Sequence, residues 1–325
     1  MGNTNFLSVL VCLIIGLWSC TATPELSPPA PERNPTTSAG IALGKQLFFD
    51  PLLSANRKVS CATCHQPDKA FTDGVSLSTA GVTGNQLLRH APTLMYIGWS
   101  EKLFWDGGAN DLESQAFGPL THHDEMGIDL KELTKRLNED AGYRQQFQDL
   151  FGIDSVQSAY VARALAQYQR SLYLFSSQYD AVKKGKAAFS EEELRGEKVF
   201  IRHCERCHRL PLFTDFRYHN NGLDTLYSSA HEGMAQGRYR ITLDSADMGR
   251  YKTPTLRNIT LTAPYMHDGR FATLDDVLEF YQQGINQTVY LDTLLLMSKK
   301  EERFSDEEQQ ALKVFLQTLT DDFTE

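Results

Sequence analysis

Apolar residues recur at helical spacing along most of the chain, and no convincing run alternates with the two-residue period of a strand. One helix start is marked by a capping box, formed by Ser190 and Glu193, which follows it by three residues. Further helices are predicted at 131–150, 157–179, 273–283 and 305–319. Strands should therefore be minor, and the predicted fold class is mainly α.

The first residues depart from this pattern. An apolar run at 7–18 is too short to span a bilayer and is followed by small residues and a Thr/Pro-rich stretch. This order predicts a signal peptide over residues 1–19. The sequence at 17–20 resembles a bacterial lipobox, so Cys20 is predicted to be lipidated and to hold the protein at a membrane surface. The alternative is an ordinary signal peptide beside an unrelated Cys. Residues 20–37 are predicted to form a lipidated tether.

Four of the six cysteines fall in two C-x-x-C-H motifs, Cys61-Ala62-Thr63-Cys64-His65 and Cys204-Glu205-Arg206-Cys207-His208. Two thiols at this spacing can bond the two vinyl groups of a haem, and the adjacent His then lies under the iron. Because the His directly follows the second Cys in both copies, two covalently bound haem c groups are favoured over a four-thiolate zinc site. Export agrees with this interpretation, since c-type haem is attached on the periplasmic side.

The residues that flank the two motifs are also repeated. A Gly and a Phe precede each motif at helical spacing, and Phe-Thr-Asp follows it. The matched residues are Gly44 and Gly196, Phe48 and Phe200, and the segments 71–73 and 213–215. The repeat indicates an internal duplication, with each haem held in the loop after a short amphipathic helix. Two cytochrome c-like haem domains in tandem are predicted, the N-terminal one over 38–185 and the C-terminal one over 186–325.

Composition limits the functions to be considered. Hydrophobic residues make up 41% of the 325 residues and charged residues 22%, which is typical of a folded, water-soluble protein. Asp and Glu outnumber Lys and Arg by 41 to 32, giving a net charge of −9. A surface of this sign has no net attraction for polyphosphate, so no nucleic-acid partner is expected. It favours a basic protein partner instead.

An ordered set of further segments resembles the bacterial di-haem cytochrome c peroxidases and their MauG-like relatives. The segments are Ala91-Pro92-Thr93-Leu94, Phe104-Trp105-Asp106-Gly107, Leu112-Glu113-Ser114-Gln115-Ala116, Glu125-Met126-Gly127, Thr253-Pro254-Thr255-Leu256-Arg257-Asn258 and Pro264-Tyr265-Met266-His267-Asp268-Gly269. The resemblance runs from about Gly40 to the C-terminus. It implies a peroxide-binding N-terminal haem with proximal ligand His65, and an electron-transfer C-terminal haem with proximal ligand His208.

The resemblance also implies catalytic residues near the first iron. Glu125 is expected to move a proton from one peroxide oxygen to the other before the O–O bond breaks. Gln115 is expected to orient the peroxide. Trp105 matches the tryptophan that lies between the two haems and would carry electrons. From the residues alone, a solvated loop carboxylate is the alternative for Glu125, and a buried core residue is the alternative for Trp105.

Two positions depart from the classical peroxidases. Their C-terminal haem takes a Met as sixth ligand, and the matching position here is Tyr281, as in MauG-like proteins. A tyrosinate ligand would lower the haem potential relative to a thioether. Met266 is the rival ligand, and a core tyrosine without iron is the other alternative. The family's calcium would take the carbonyls of Thr262 and Pro264, but His90 replaces the family's Asn. Imidazole is a poor calcium ligand, which argues against calcium without excluding it.

Three functions follow from these features. The favoured one is a di-haem peroxidase that reduces hydrogen peroxide to water with electrons from a small periplasmic protein such as cytochrome c. The second is a MauG-like enzyme that uses high-valent haem to oxidise residues of a partner protein, as Tyr281 suggests. The third is a plain electron-transfer cytochrome, against which Glu125 argues. The predicted location is the periplasm of a Gram-negative bacterium, at a membrane surface through the lipid anchor.

Overall fold

The computed structural model describes residues 26–298 and 304–323. The predicted signal peptide and Cys20 lie outside these residues. Within them, no helix has the length and apolar character needed to cross a membrane. The last part of the predicted tether packs against the protein: Asn34 is 1% exposed, and its amide donates to Glu113 Oε1 at 2.6 Å and to the Arg163 carbonyl at 3.1 Å. These polar groups hold the end of the predicted tether in place, and its bounds, 20–37, stay a prediction.

Helices form most of the regular structure in the described part of the chain, which confirms the mainly α fold class. The first seven are α1 (Ser38–Phe49), α2 (Cys61–Cys64), α3 (Leu112–Gln115), α4 (Phe117–Thr121), α5 (Leu130–Glu139), α6 (Ala141–Phe151) and α7 (Ser158–Arg170). The next seven are α8 (Gln178–Lys183), α9 (Glu191–His203), α10 (Ala230–Gly233), α11 (Tyr239–Thr242), α12 (Leu274–Glu279), α13 (Thr293–Ser298) and α14 (Asp306–Gln317). The antiparallel strands β1 (Tyr218–His219) and β2 (Tyr251–Lys252) pair Tyr218 with Lys252.

Helices α1 and α9, which precede the two haem motifs, pack in equivalent ways. Helix α1 lies against α7, and α9 lies against α14. A Cβ atom on Gly44 would come within 2.1 Å of the Ala164 carbonyl oxygen, and one on Gly196 within 2.0 Å of the Ala311 carbonyl oxygen. The repeated glycine therefore allows each helix pair to approach closely. The predicted duplication is visible in this packing.

Each half has its own hydrophobic core. The first core takes its buried residues from Leu43 to Leu172, and the second from Tyr179 to Leu319. In the second core the rings of Phe200 and Phe315 lie 5.4 Å apart. The core changes between residues 172 and 179, shortly before the position near 185 at which the sequence divides the domains. The division into 38–185 and 186–325 stays a prediction.

Local capping explains where the observed helix ends differ from those predicted from the apolar periodicity. The predicted helix 131–150 is two helices, because the Asp140 side chain accepts the Tyr143 N–H and starts α6. The predicted helix 157–179 ends at Arg170, and Ser177 caps α8 separately. Helix α12 continues into a π-helical turn, Phe280–Gly284, which changes the face on which later side chains lie. Periodicity alone carries no information on these interruptions.

The segment after α14 joins the two halves. The Tyr96 hydroxyl donates to the Asp321 carboxylate, which also accepts the Asn258 amide at 2.9 Å. Nearby, Arg257 forms a bidentate pair with Asp180 at 2.9 and 2.8 Å. Because Tyr96 belongs to the first core and Asp321 follows the last helix of the second, the Tyr96–Asp321 bond links the two halves.

Candidate haem and peroxide site

A cavity of about 730 Å³ lies between the halves and is lined by both C-x-x-C-H motifs. The four cysteines of these motifs form no disulfide, so all four sulfur atoms remain available to a cofactor. Among the described residues, no group of three or more His, Cys, Asp or Glu side chains is placed to hold a metal ion.

The first motif places its histidine ring towards the cavity. Thr63 Oγ1 accepts the Ser60 N–H at 3.0 Å, which fixes the start of α2. His65 follows at the end of α2, and its Nδ1–H donates to the Phe71 carbonyl at 2.8 Å. This bond sets the tautomer, because Nδ1 carries the proton and Nε2 keeps its lone pair for a metal. Burial lowers the pKa of His65, which favours the neutral ligand form.

The second motif repeats this arrangement directly after α9. The Nδ1–H of His208 donates to the Phe213 carbonyl at 3.1 Å. Burial lowers the pKa of His208 to about 4, so this ring is neutral as well. Both motifs therefore present an oriented, uncharged imidazole to the same cavity.

A Pro-Thr-Leu segment fastens the loop behind each of these histidines. Thr93 Oγ1 donates to the Ala70 carbonyl at 2.6 Å, and Thr255 Oγ1 donates to the Leu212 carbonyl at 2.6 Å. The two family segments that contain these threonines thus perform the same structural task in each half.

The Asp-Gly turns across the cavity are also duplicated. Leu103 pairs with Ala109 around the first turn, and Tyr265 pairs with Phe271 around the second. Counted from these turns, Tyr281 occupies the position that Pro119 has in the first half, one helical turn after Gln115. Tyr281 and Gln115 both line the cavity.

Gln115 and Glu125 both line the cavity. Gln115 is 8% exposed, and its Oε1 has no hydrogen-bond partner among the described residues. Glu125 lies in the loop after α4, next to Met126, whose sulfur is 3.9 Å from Cys61 Sγ. Burial raises the pKa of Glu125, and Asp124 adds to the rise, while His122 opposes it. The first motif thus faces one unpaired amide oxygen and one carboxyl that holds its proton more strongly than usual.

Trp105 lies in the cavity wall where the two halves meet. Its indole Nε1–H donates to the His90 carbonyl at 2.9 Å. Its own carbonyl accepts the Lys252 N–H at 2.8 Å. Trp105 is therefore bonded to both halves, as a residue between two haems would be.

Tyr281 and Met266, the two candidate sixth ligands, lie beside the same amide. Asn221 Nδ2 donates to the Tyr281 hydroxyl at 3.3 Å and contacts the Met266 sulfur at 3.8 Å. Burial raises the pKa of Tyr281 to about 12 in the absence of a metal. Asn221 was not found from the sequence, because an Asn-Asn-Gly run is typical of a turn and does not indicate a ligand site.

The proposed calcium position lies in the cavity wall. Thr262 and Pro264 line the cavity with His90. However, the His90 imidazole Nδ1–H donates to the Val75 carbonyl at 2.8 Å, and His90 is buried. The Thr262 hydroxyl donates to the Ile259 carbonyl at 3.3 Å, and calcium binding at the two backbone carbonyls stays a prediction.

Other buried polar atoms of the cavity fit a haem. Arg89 Nη2 and Gln169 Oε1 line it and have no partner within the described ranges. Arg89 lies 3.4 Å from Asp106, so part of its guanidinium is paired and the rest faces the cavity. A haem propionate is a carboxylate that would satisfy the free N–H groups. Arg89 carries no motif signature beyond its place before Ala91, and the sequence did not single it out.

Comparisons with known proteins agree with this geometry. The family model described as di-haem cytochrome c peroxidase matches residues 38–188. The methylamine utilization protein MauG of Methylorubrum extorquens is 34% identical over 90% of this chain and 81% of its own. The cytochrome c551 peroxidase of Nitrosomonas europaea is 33% identical over 90% of this chain and 84% of its own.

A solved structure has the same fold over nearly the whole chain. It is the crystal structure of a MauG-like protein associated with microbial copper homeostasis, with a TM-score of 0.82 and 33% identity over 94% of this chain and 96% of its own. Fold, cavity and motifs define a two-haem oxidoreductase of the c type. The chain belongs to the di-haem cytochrome c peroxidase and MauG family, and it is a di-haem peroxidase.

Proposed function

We propose that this enzyme reduces hydrogen peroxide to water at the haem of the first motif, with electrons that enter through the haem of the second. Cys61, Cys64 and His65 bind the first haem, and Cys204, Cys207 and His208 bind the second. The observation that carries the proposal is the pair Gln115 and Glu125 in the cavity wall beside the first motif.

The bound haem supplies an iron that coordinates peroxide and accepts its oxidising equivalents. Glu125 is the group that transfers the proton. Its carboxylate would take a proton from one oxygen of the peroxide and return it to the other, which would leave as water. The raised pKa of Glu125 favours this exchange, because the group holds a proton at a pH nearer neutrality than an exposed Glu does.

Gln115 orients the peroxide. Its unpaired Oε1 can accept a hydrogen bond from the peroxide O–H, while an amide does not compete for the proton. The atom is buried without a partner in the described structure, so a ligand that donates to it removes a desolvation cost of about 1–3 kcal/mol.

Electrons cross between the halves through Trp105, which is bonded to both. The donor is a small basic electron-transfer protein such as cytochrome c, since the chain carries a net charge of −9. The enzyme acts in the periplasm of a Gram-negative bacterium, because c-type haem attachment and the apolar run at 7–18 both imply export. Lipidated Cys20 holds it at a membrane surface.

A MauG-like function is the second candidate, and Tyr281 is the observation that favours it. Its hydroxyl lies in the cavity near the second motif, where Met would stand in a classical peroxidase. A tyrosinate ligand lowers the haem potential and makes this centre a poorer acceptor of electrons from a cytochrome. Oxidation of a partner protein would then compete with reduction of peroxide.

Rapid mixing of the oxidised holoprotein with hydrogen peroxide tests the proposal. We expect a change in the haem absorption within seconds, and steady oxidation of reduced cytochrome c when it is added with peroxide. If the haem absorption does not respond, the chain is a plain electron-transfer cytochrome and the proposal fails. If it responds but neither cytochrome c nor a small donor is oxidised, the MauG-like function replaces it.

A further inference from the structure

A reciprocal pair of main-chain hydrogen bonds joins the two halves. His90 and Lys252 occupy the same position in the two halves, two residues before the proline of each Pro-Thr-Leu segment. Trp105 and His267 are equivalent too, since each directly precedes the Asp-Gly of its turn. The His90 N–H donates to the His267 carbonyl at 2.9 Å, and the Lys252 N–H donates to the Trp105 carbonyl at 2.8 Å. Each half therefore binds the turn of the other.

The side chains at these positions break the equivalence. The first-half counterpart of Lys252 keeps its side chain in its own half, bonded to a backbone carbonyl there. The Lys252 side chain instead crosses to the first half, where Nζ donates to Ser100 Oγ at 3.2 Å and to the Lys102 carbonyl at 3.1 Å. With its main-chain bond, Lys252 makes three hydrogen bonds to residues 100–105, the Trp105 loop.

The Trp105 loop contains a strained residue between these bonds. Phe104 has a φ of +65°, in the left-handed region that a residue with a Cβ atom seldom adopts. Such a conformation persists only where the surrounding contacts hold it. Lys252 supplies contacts on both sides, because Nζ binds the Lys102 carbonyl and the main-chain N–H binds the Trp105 carbonyl. Without the side-chain bonds, the loop could relax and move the indole ring.

A lysine is a costly choice for this position. Lys252 lines the cavity, and its two side-chain partners are neutral oxygens. Burial lowers the pKa of Lys252 to about 8, and the Asp106 carboxylate opposes this fall, so the side chain is charged at neutral pH. An apolar side chain of similar length would avoid the desolvation of that charge. The cost is offset by hydrogen bonds that the ammonium donates to the Trp105 loop.

We infer that Lys252 is a positioning residue that holds Trp105 in place between the two haem motifs. The inference rests on the proposed function, in which electrons cross between the halves through Trp105. Electron transfer through an aromatic ring depends on distance, so displacement of the indole slows the crossing. Lys252 acts through Trp105 and takes no part in the reaction of peroxide at the first motif.

Single-turnover oxidation of the reduced holoprotein tests the inference. The fully reduced protein is mixed with one equivalent of hydrogen peroxide, which takes one electron from each haem and two protons from solvent to give two waters. The absorption of the first haem reports the reaction with peroxide, and that of the second reports the electron that crosses. Lys252→Met should slow the second change about tenfold, since a misplacement of about 1 Å can cost up to about 10²-fold. The first change should stay within about twofold of the parent.

Three further variants serve as controls. Lys252→Arg keeps donors for both oxygens and should recover most of the lost rate. Lys131→Met, at an exposed lysine of α5, removes the same charge away from the Trp105 loop and should leave both rates unchanged. Ser100→Ala removes one of the two side-chain partners and should slow the second change by a smaller factor, which stays measurable if Lys252→Met binds haem poorly.

Trp105→Phe separates this inference from the function on which it rests. If Trp105→Phe slows the second change and neither Lys252→Met nor Ser100→Ala does, the inference is wrong and the proposed function stands. If Trp105→Phe changes nothing, electrons cross elsewhere and the inference is overturned. If the parent does not react with peroxide, the proposed function itself fails. Equal slowing of both changes in Lys252→Met, without recovery in Lys252→Arg, would assign the effect to a general loss of structure and contradict the positioning role.

Discussion

The two halves of the molecule hold their haem motifs alike but differ on the opposite side of the cavity. Both use a helix with a buried glycine, a histidine bonded to a backbone carbonyl, and a threonine that fastens the loop. Opposite these groups, the first half presents Gln115 and Glu125, whereas the second presents Tyr281 and Met266 beside Asn221. Under the proposed function, the two haem motifs are alike, and a few cavity side chains distinguish the chemistry of the two sites.

The backbone accounts for this divergence. In the first half, α3 ends at Gln115, and α4 leads into a loop that carries Glu125 towards the cavity. In the second half, α12 passes into the π-helical turn Phe280–Gly284, which carries Tyr281. Interruptions of this type are frequent at functional sites.

Of these substitutions, Glu125→Gln should cause the largest change in the reaction with peroxide, which we assign to the first half. The amide cannot accept a proton, so the rate of the haem absorption change with peroxide should fall about 10²–10⁴-fold. In the parent, the rate should fall as the pH is lowered, because protonation of Glu125 removes the base, and its raised pKa moves this loss to higher pH than for an exposed Glu. Glu139→Gln, at a side chain that is 65% exposed, is the control. A Glu125→Gln rate within twofold of the parent would show that the first half lacks the proposed proton chemistry.

Tyr281→Phe and Met266→Leu test which residue is the sixth ligand of the haem in the second half. If Tyr281 is the sixth ligand, its replacement by Phe changes the ligation of one haem only, and Met266→Leu leaves both haems unchanged. Potentiometric titration should show a raised potential for the second haem in Tyr281→Phe. The opposite pattern, in which only Met266→Leu has an effect, would make Met266 the ligand.

A matched pair of glycine substitutions tests whether the halves are equivalent in packing. Gly44→Ala and Gly196→Ala each force a methyl group against a helix carbonyl and should lower the free energy of unfolding by about 1–3 kcal/mol. Lys45→Ala, on the exposed face of α1, should change it by less than about 0.5 kcal/mol. Denaturant titration followed by helical circular dichroism measures all three. A loss in only one glycine variant would show that the two interfaces are not equivalent.

The smallest expected effect concerns an ion cluster in the second half. His219 bonds Asp215 at 3.0 Å and Asp292 at 2.8 Å. Burial alone would lower the pKa of His219, but the two carboxylates outweigh it and raise the pKa to about 9. Because the folded pKa lies above the ordinary 6.5, the stabilisation is complete below about pH 6.5 and is lost as the pH rises through about 9.

The side chains of His219, Asp215 and Asp292 are only 15%, 4% and 11% exposed, so the stability lost over this range should be measurable, on the order of 1 kcal/mol. The measurement is the stability difference between the parent and His219→Gln at pH 6.5, 8 and 10. A difference that does not shrink towards pH 10 would contradict the assignment.

The mainly α class could be predicted from the sequence because it depends on local spacing. The two C-x-x-C-H motifs are visible for the same reason, and haem attachment at them stays a prediction. The equivalence of Gly44 and Gly196 in the repeat could be predicted from the sequence for the same reason. Asn221 and the free guanidinium N–H of Arg89 could not be predicted, since their importance arises from contacts between segments distant along the chain. The interruption of the predicted helix 131–150 at Asp140 was missed because a cap can override apolar periodicity.

The candidate catalytic residues were named from the family resemblance. Their positions in the cavity wall support the roles of Gln115, Glu125 and Trp105 without testing them. Calcium occupancy stays a prediction: His90 replaces the family's Asn, and its Nδ1–H donates to the Val75 carbonyl.

The low-temperature electron spin resonance spectrum of the oxidised holoprotein tests the central claim most directly. The claim is that one haem is open to peroxide while the other has a protein sixth ligand. The account predicts one high-spin and one low-spin ferric haem per chain, with hydrogen peroxide altering the high-spin signal. Two low-spin haems that do not respond to peroxide would contradict it.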